Sequence, residues 1–435
     1  MHVAQFVQRF PPALGGSEAY TARLCEYLTN RGDAVSVWTS EAIDLSEMWG
    51  RARTPPPPDV PPEPYREKGT SRAGRAPGLS ASDSPSPTGM RFGLRRYAPL
   101  YFPGRRYVLK ALSLLPVRRW QCLTTPCNPV CPRMWHDAGA YVGPLDAVHA
   151  TAFPYSFPIM CALRLARRRK VPFLLTPFLH LGDPTDTHDR TRRQYTGPHL
   201  RWLLRQADRV FVQTRAERDT VCALGLSEER VVLQGLGVDF AECTGGDRPS
   251  FRAACSLSSQ EMVFGHLANN SAEKGTVDLL RAAERAWAKG AKFRVALAGP
   301  DMPSFQAFWQ SFGAKDRVAR LGVLSAAQKR DFFAGIDAFV LPSRCDSFGL
   351  VLLEAWANGK PNVVYRAGGP AELVRHEVDG LQAACGDANE LAAHMTRLAA
   401  DAGLRAALGQ SGRSRAANEF RWPDKLEQVR RTMRG

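Results

Sequence analysis

No stretch of this chain approaches the eighteen or so consecutive apolar residues that a membrane-spanning helix needs, so no such helix is expected. The start, Met1-His2-Val3-Ala4-Gln5-Phe6-Val7, lacks a charged segment followed by an apolar one and soon meets Pro11-Pro12. No signal peptide is read there, and a cytoplasmic protein is expected. The 10 cysteines are scattered rather than set in a compact disulfide framework, and most read as small buried thiols. One cluster, Cys122, Cys127 and Cys131 followed by His136, brings four potential zinc ligands close together. Its spacing matches no zinc signature, and Pro126, Pro129 and Pro132 mark a loop, so a structural metal there stays an open question.

What the chain does have is positive charge: 58 Lys and Arg against 42 Asp and Glu, a formal net charge of +16. That implies attraction to something anionic, and composition alone does not rank a nucleotide diphosphate, an acidic membrane surface and nucleic acid. At 435 residues, 44% hydrophobic and 23% charged, the composition is that of a soluble globular protein with two domains.

The first forty residues read as strand, glycine loop, helix, strand. Residues 3–7 are β-prone, Gly15-Gly16 breaks the chain, and Ser17 has the character of an N-cap. Tyr20, Leu24, Tyr27 and Leu28 then recur at helical spacing up to Gly32. Val35-Ser36-Val37-Trp38 alternates as a second strand, and a βαβ opening of this kind indicates a parallel sheet. Residues of about 43 to 90 differ in kind, with Pro55-Pro56-Pro57-Pro58 ahead of a Ser/Gly/Arg-rich tract. Such a segment buries little apolar surface and is expected to be a disordered excursion.

Between Arg91 and Trp120 the chain turns basic and aromatic. Arg95, Arg96, Arg105, Arg106, Lys110, Arg118 and Arg119 are interleaved with Phe92, Tyr97, Tyr101, Phe102, Leu112, Leu114 and Leu115. Two readings stand: a core helix with solvated charges, or a surface resting on anionic lipid. No recognisable binding module accompanies the charge, so nucleic acid is not an expected partner. Regular alternation resumes with strands near 146–150, 171–176, 210–212 and 231–233. Gly237-Val238-Asp239 then opens a hinge expected at 240–249. The second half repeats the scheme, with strands at 263–265, 293–297, 338–341 and 362–365. The expectation is an α/β protein of two Rossmann-like domains, 1–240 (completed by a final helix, 421–435) and 241–420. They would face each other across a cleft at the carboxyl ends of their strands.

The strongest chemical signal is Pro342-Ser343-Arg344-Cys345-Asp346-Ser347-Phe348-Gly349-Leu350-Val351-Leu352-Leu353-Glu354-Ala355. A strand ends in a loop holding an acid and a glycine, a helix begins, and a second acid follows within it. A carboxylate accepts from two vicinal hydroxyls, as on a sugar or ribose, and the backbone N–H groups of Phe348, Gly349, Leu350 and Val351 at a helix N-terminus favour a phosphate.

Together with Gly359-Lys360-Pro361 and Gly368-Gly369-Pro370-Ala371-Glu372, this segment resembles the donor-site signature of family 4 glycosyltransferases, which have the GT-B fold. The resemblance implies that Asp346 touches the donor sugar and Glu354 holds the ribose hydroxyls. The first acid is Asp where the family usually has Glu, one methylene longer. Pro11-Pro12-Ala13-Leu14-Gly15-Gly16-Ser17-Glu18 resembles the family's N-terminal glycine loop facing the donor diphosphate, and bare backbone suits close approach to phosphate. Gly235-Leu236-Gly237-Val238-Asp239 resembles the link into the second domain, and Leu321-Gly322-Val323-Leu324 the run whose backbone, with Gly322 and Leu324, reads the base. Phe420-Arg421-Trp422 resembles the start of the helix that crosses back.

Lys274, in Glu273-Lys274-Gly275-Thr276, sits at a helix start where the dipole disfavours a cation unless an anion is bound. In the family the equivalent lysine neutralises the diphosphate leaving group. The family's usual arginine after the glycine of the preceding strand is here His266, with Asn269 or Asn270 as hydrogen-bonding substitutes. His180, at the carboxyl end of its strand, is implied to contact the donor sugar near the reacting centre, and His188 is its weaker rival.

The implied reaction is transfer of a sugar from a nucleotide-diphosphate sugar to a hydroxyl acceptor, with retention of configuration. The donor is a co-substrate, and no cofactor is implied. No Asp-x-Asp motif is present, and the reading is metal-independent. The expected acceptor is lipid-linked or a cell-envelope glycan, with the protein at the inner face of the membrane. A sugar-nucleotide 2-epimerase of the same architecture and a degenerate, membrane-associated binding protein are the alternatives.

Overall fold

The computed structural model describes residues 1–13, 15–48, 92–183 and 186–435. The proline-rich tract expected at 43–90 lies, from residue 49 onward, outside the described residues. Ahead of it Leu45–Met48 makes one short 3-10 turn.

Among the described residues two sheets form, parallel throughout. The first contains β1 (His2–Phe6), β2 (Ala34–Ser40), β3 (Gly93–Tyr97), β4 (Ala147–Thr151), β5 (Phe173–Thr176), β6 (Arg209–Val212) and β7 (Val231–Leu233), in the order β3-β2-β1-β4-β5-β6-β7. The second contains β8 (Val263–Leu267), β9 (Arg294–Ala298), β10 (Val318–Arg320), β11 (Ala338–Leu341), β12 (Asn362–Tyr365) and β13 (Gly380–Ala383), in the order β10-β9-β8-β11-β12-β13. Parallel strands covered by helices on both faces read as continuous apolar runs. Every residue of β4 and of β11 is buried accordingly. The helix Ser156–Arg169 buries its N-terminal apolar half and ends in Arg167, Arg168 and Arg169, where cations suit the free carbonyls.

Three strands were not expected, and β3 corrects a reading. The basic stretch does not open as a core helix but as an edge strand against β2, with Thr39 level with Arg96. Arg95 lies 4.8 Å over the Trp38 ring, Arg96 donates to the Pro11 carbonyl, and buried Arg105 donates to Asn128 O. The helices Arg105–Leu112 and Arg118–Thr124 follow. The four potential zinc ligands also go separate ways. The Cys122 thiol donates to His199 O at 3.3 Å and that of Cys131 to Tyr97 O at 3.6 Å, while Cys127 Sγ lies 3.9 Å from Pro154 O. His136 is exposed beside Asp137, and among the described residues no three potential ligands converge.

The link between the sheets meets the tail of the chain. Val238 N–H donates to Phe420 O at 2.7 Å, and a Cβ on Gly237 would come within 2.6 Å of Trp422 N. The helix Trp422–Arg434 then lies against Gly16–Asn30: the Trp422 and Tyr20 rings are 6.3 Å apart, Tyr27 donates to Glu427, and Arg430 pairs with buried Asp33 at 2.6 Å.

Candidate active site

Each sheet reverses its winding once, between β1 and β4 in the first and between β8 and β11 in the second. At such a point the loops leaving neighbouring strands run apart and open a crevice. In the second sheet those loops are 268–275 and 342–349, and they carry Lys274 and Asp346. The two loops are pressed together at Gly275, which has φ +75° and whose Cβ, if present, would overlap the Pro342 carbonyl. That contact sets Lys274 Nζ 2.8 Å from Asp346 Oδ2.

Asp346 also accepts from the Phe348 N–H at 3.2 Å. Burial alone would raise its carboxyl, but Lys274, His180 and the Phe348 N–H outweigh burial and hold it at about 2. Burial pulls Lys274 down in turn, and the facing carboxylate more than restores it, so the ammonium is held above its ordinary value. The loop is propped from beneath by Gly369, whose N–H donates to Asp346 O at 2.9 Å. A Cβ on Gly369 would overlap the Ser347 carbonyl and lie 2.5 Å from Phe348 Cα.

His180 reaches this pair from the other sheet. Its turn leaves β5 with Phe178 at φ +50°, and the Leu179 N–H is held by the buried carboxylate of Glu217 at 2.8 Å. Glu217 also takes the Gln213 N–H at 2.7 Å, while its burial pushes the carboxyl up to about 7 against both bonds. His180 Nδ1 lies 2.5 Å from Cys345 O, and its ring is 4.9 Å from that of Tyr195. A carbonyl only accepts, so Nδ1 carries the proton and the neutral ring leaves Nε2 with a lone pair. Burial, aided by the charge of Lys274, lowers the His180 pKa and keeps the ring neutral. Further contacts cross the same cleft: Arg344, held on its own side by Asp278 at 2.6 Å, reaches Asp183 at 3.4 Å, and Glu372 accepts from the Arg215 and Ala216 N–H groups.

Glu354 stands in the helix Leu350–Ala357. Its Oε1 pairs with Lys329 Nζ at 2.6 Å, while its Oε2 is buried without a partner, an acceptor lacking a donor. A cavity of 340 Å³ opens beside it, lined by Ala19, Arg23, Lys329, Leu350 and Trp422 among others. Gly15 directly precedes the helix Gly16–Asn30, whose first turn faces this side, and Gly15 and Gly16 are exposed. Gly322 O accepts from Gly299 N–H, so the run ending in Leu324 sits at the mouth of β9 and β10.

Several expected residues behave differently. His266 is fully buried, with Nδ1 2.8 Å from Val340 O and Nε2 2.9 Å from Thr276 Oγ1, and burial lowers its pKa to about 4. It braces β11 against the helix Thr276–Ala288 and cannot stand in for an arginine. Asn270 is committed to Asp301 and Gly299 O, leaving exposed Asn269 alone on the loop. The Phe348 N–H is already taken by Asp346, which leaves Gly349, Leu350 and Val351 at the helix start, with Ser347 on the loop before them. His188 is exposed, away from the pair. Sequence reasoning missed Lys329, Arg344, Glu217 and Tyr195. Arg344 stands inside the quoted donor-site segment but at a position given no role, Lys329, Glu217 and Tyr195 belong to no motif, and only the Ser325/Gln328 capping box marks the helix that carries Lys329.

Two parallel, doubly wound sheets whose carboxyl ends meet across a cleft define a GT-B glycosyltransferase. The chain belongs to family 4 of these enzymes: residues 15–237 match the glycosyl transferase 4-like domain, and residues 247–415 match the glycosyl transferases group 1. A lipopolysaccharide core biosynthesis glycosyltransferase, LpsD of Rhizobium meliloti, is 35% identical over 122 residues, 28% of this chain and 35% of that one. An uncharacterized glycosyltransferase of Methanocaldococcus jannaschii is 23% identical over 49% of this chain and 56% of its own length. The chain thus spans about a third to a half of these two relatives. The 2-deoxystreptamine N-acetyl-D-glucosaminyltransferase of Streptomyces fradiae is 28% identical over 75% of this chain and 76% of its own. Among solved structures, Anabaena HepE in complex with UDP superposes with a TM-score of 0.68 at 17% identity, covering 100% of this chain and 99% of that one. Among the described residues no helix is long and apolar enough to cross a membrane.

Proposed function

We propose that this protein moves a sugar, hexosyl in type, from a nucleotide-diphosphate sugar to a hydroxyl acceptor with retention of configuration. Residues up to about 240 would receive the acceptor and residues 241–420 the donor. The observation that carries the reading is the convergence of Lys274, Asp346 and His180 where the two sheets meet. Asp346 and the lone pair on His180 Nε2 would accept from hydroxyls of the donor sugar and so hold its anomeric carbon. Glu354 Oε2, buried and unpartnered, would take a ribose hydroxyl.

As the anomeric carbon–oxygen bond breaks, the bonding pair leaves with the diphosphate. Lys274 and the N–H groups of Gly349, Leu350 and Val351 stabilise the charge that develops there, with the Gly15-Gly16 loop opposite. The acceptor oxygen bonds the anomeric carbon on the face the phosphate vacates, and its proton passes to the departing phosphate oxygen. This chain's groups supply the positive charge without an added ion. The relatives named for 2-deoxystreptamine and lipopolysaccharide core, and the fold-mate bound to UDP, support a polyhydroxylated acceptor and a nucleoside diphosphate donor. A lipid-linked or cell-envelope glycan acceptor, met at the inner membrane face, fits the same reading.

The test is transfer from donors labelled at the anomeric carbon to a panel of sugar acceptors, with the product's anomeric configuration read by NMR. Retention with stoichiometric release of nucleoside diphosphate is expected. An inverted product, an epimerised donor, or donor binding with no turnover on any acceptor would sink the reading.

A further inference from the structure

Most of the exposed large apolar side chains among the described residues fall between Leu100 and Trp120, and the surface they form is not in the cleft. It lies on the helices Arg105–Leu112 and Arg118–Thr124 and their connection, where Tyr107 is 82% exposed, Leu114 78%, Val117 56% and Leu115 50%. Val108 and Trp120 extend it. Water does not favour such a ridge, and contiguous exposed apolar surface marks a docking site. The ridge is rigidly mounted: Leu109 and Arg105 are buried beneath it, Arg105 donates to Asn128 O, and Trp120 Nε1 donates to Leu112 O at 3.0 Å.

Its charge identifies the occupant. Arg106, Lys110, Arg118 and Arg119 are exposed among these apolar side chains, and no Asp or Glu occurs from residue 91 to residue 136. Beside the ridge a groove of 320 Å³ is lined by Arg119, Arg164 and Arg167 with Trp135 and Trp202, again without an acid. Arg164 stacks 4.6 Å over the Trp135 ring. Apolar side chains ringed by cations and interfacial tryptophans match a leaflet of anionic lipid: acyl chains take the ridge, and headgroup phosphates take the arginines. Arg95, Arg96 and Arg105 of the same basic stretch are committed inside the fold and take no part.

We propose that this face docks the protein on an anionic lipid surface. The two helices belong to the half of the chain proposed to receive the acceptor, so docking brings that half to the lipid surface. The surface is separate from the donor site, so its failure leaves the transferase reading untouched.

The test is vesicle co-sedimentation of the full chain with phosphatidylcholine alone and with phosphatidylglycerol added, at low and high salt. Binding to the anionic vesicles, weakened by salt, is expected. Arg118→Gln/Arg119→Gln should lower partitioning about 30-fold, at roughly fivefold per cation. Leu114→Ser/Leu115→Ser should lower it about tenfold or more, with melting temperature and nucleotide binding unchanged. No binding, equal binding to neutral vesicles, or variants that bind as wild type would overturn the proposal. So would a dimer that Leu114→Ser/Leu115→Ser dissolves, which would make the face a contact between copies. Binding seen only after removal of residues 49–91 would assign the face to that segment instead.

Discussion

With no donor bound, Lys274 is already neutralised by Asp346, and an incoming diphosphate has to take the lysine from that carboxylate. A carboxyl held at about 2 rather than 3.8 has its charged form favoured by about 2.4 kcal/mol. Lys274 is the largest favourable contributor, with His180 and the Phe348 N–H behind it. The Asp346 side chain is 18% exposed, so solvent screens part of this, leaving about 1–2 kcal/mol for the lysine contact. Asp346→Asn removes that competitor. A nucleoside diphosphate, which has no sugar for Asp346 to touch, should then bind about 5- to 30-fold more tightly. Sugar transfer by the same variant should fall about 100-fold, because a group that grips the reacting sugar is lost. Calorimetric titration gives the first number and initial rates the second. The carboxyl is depressed in the folded state, so its stabilisation is fully present above pH 3.8 and is lost as pH falls through about 2. Wild-type melting temperature should therefore drop through that window more steeply than that of Asp346→Asn. Weaker nucleoside diphosphate binding by Asp346→Asn would refute the reasoning.

Glu354→Ala should weaken nucleotide binding about 10- to 100-fold, since a charged acceptor of ribose hydroxyls is worth about 1.5–3 kcal/mol, while leaving the melting temperature near wild type. His180→Ala should cut kcat at least tenfold with little change in donor affinity. Because burial and Lys274 keep that imidazole neutral, wild-type kcat/KM should stay level as pH falls through 6.5 and decline only below it. Gly369→Ala pushes on the backbone of Ser347 and Phe348, and should abolish detectable donor binding in a protein that still unfolds cooperatively. Asp33→Ala, far from the cleft, strands Arg430 and the N-terminal amine and should cost about 3–5 kcal/mol in denaturant unfolding, with activity unchanged below the melting temperature.

The sheets were legible where short runs were apolar throughout or nearly so, as at 338–341 and 362–365, because both faces of a parallel sheet are buried. β3 was not, since an edge strand pairs on one side only and its Arg95 and Arg96 read as solvated charge. β10 and β13 interrupt their short apolar runs with Arg320 and with Gly380 and Gln382, so neither stands out from loop. Lys274, Asp346 and Glu354 stood out because loop chemistry and helix starts are local in sequence. The pairing of Glu354 with Lys329, the grip of Glu217 on the His180 turn and the burial of His266 depend on elements brought together only by folding. His266 shows the limit most plainly, because a histidine after a strand glycine looks the same in sequence whether it faces a cleft or braces a core.

The most direct measurement is a thermal-shift panel with UDP, GDP, ADP and their sugar conjugates. A ligand bound only by the folded state adds about 2.7 kcal/mol of stability at a hundredfold excess over its dissociation constant. One nucleotide should raise the melting temperature, and Lys274→Ala and Glu354→Ala should each cut the rise to about half or less, measured from each variant's own unliganded melting temperature. A folded protein that no nucleotide shifts, or a rise that both substitutions leave undiminished, would contradict a donor site built on these two residues.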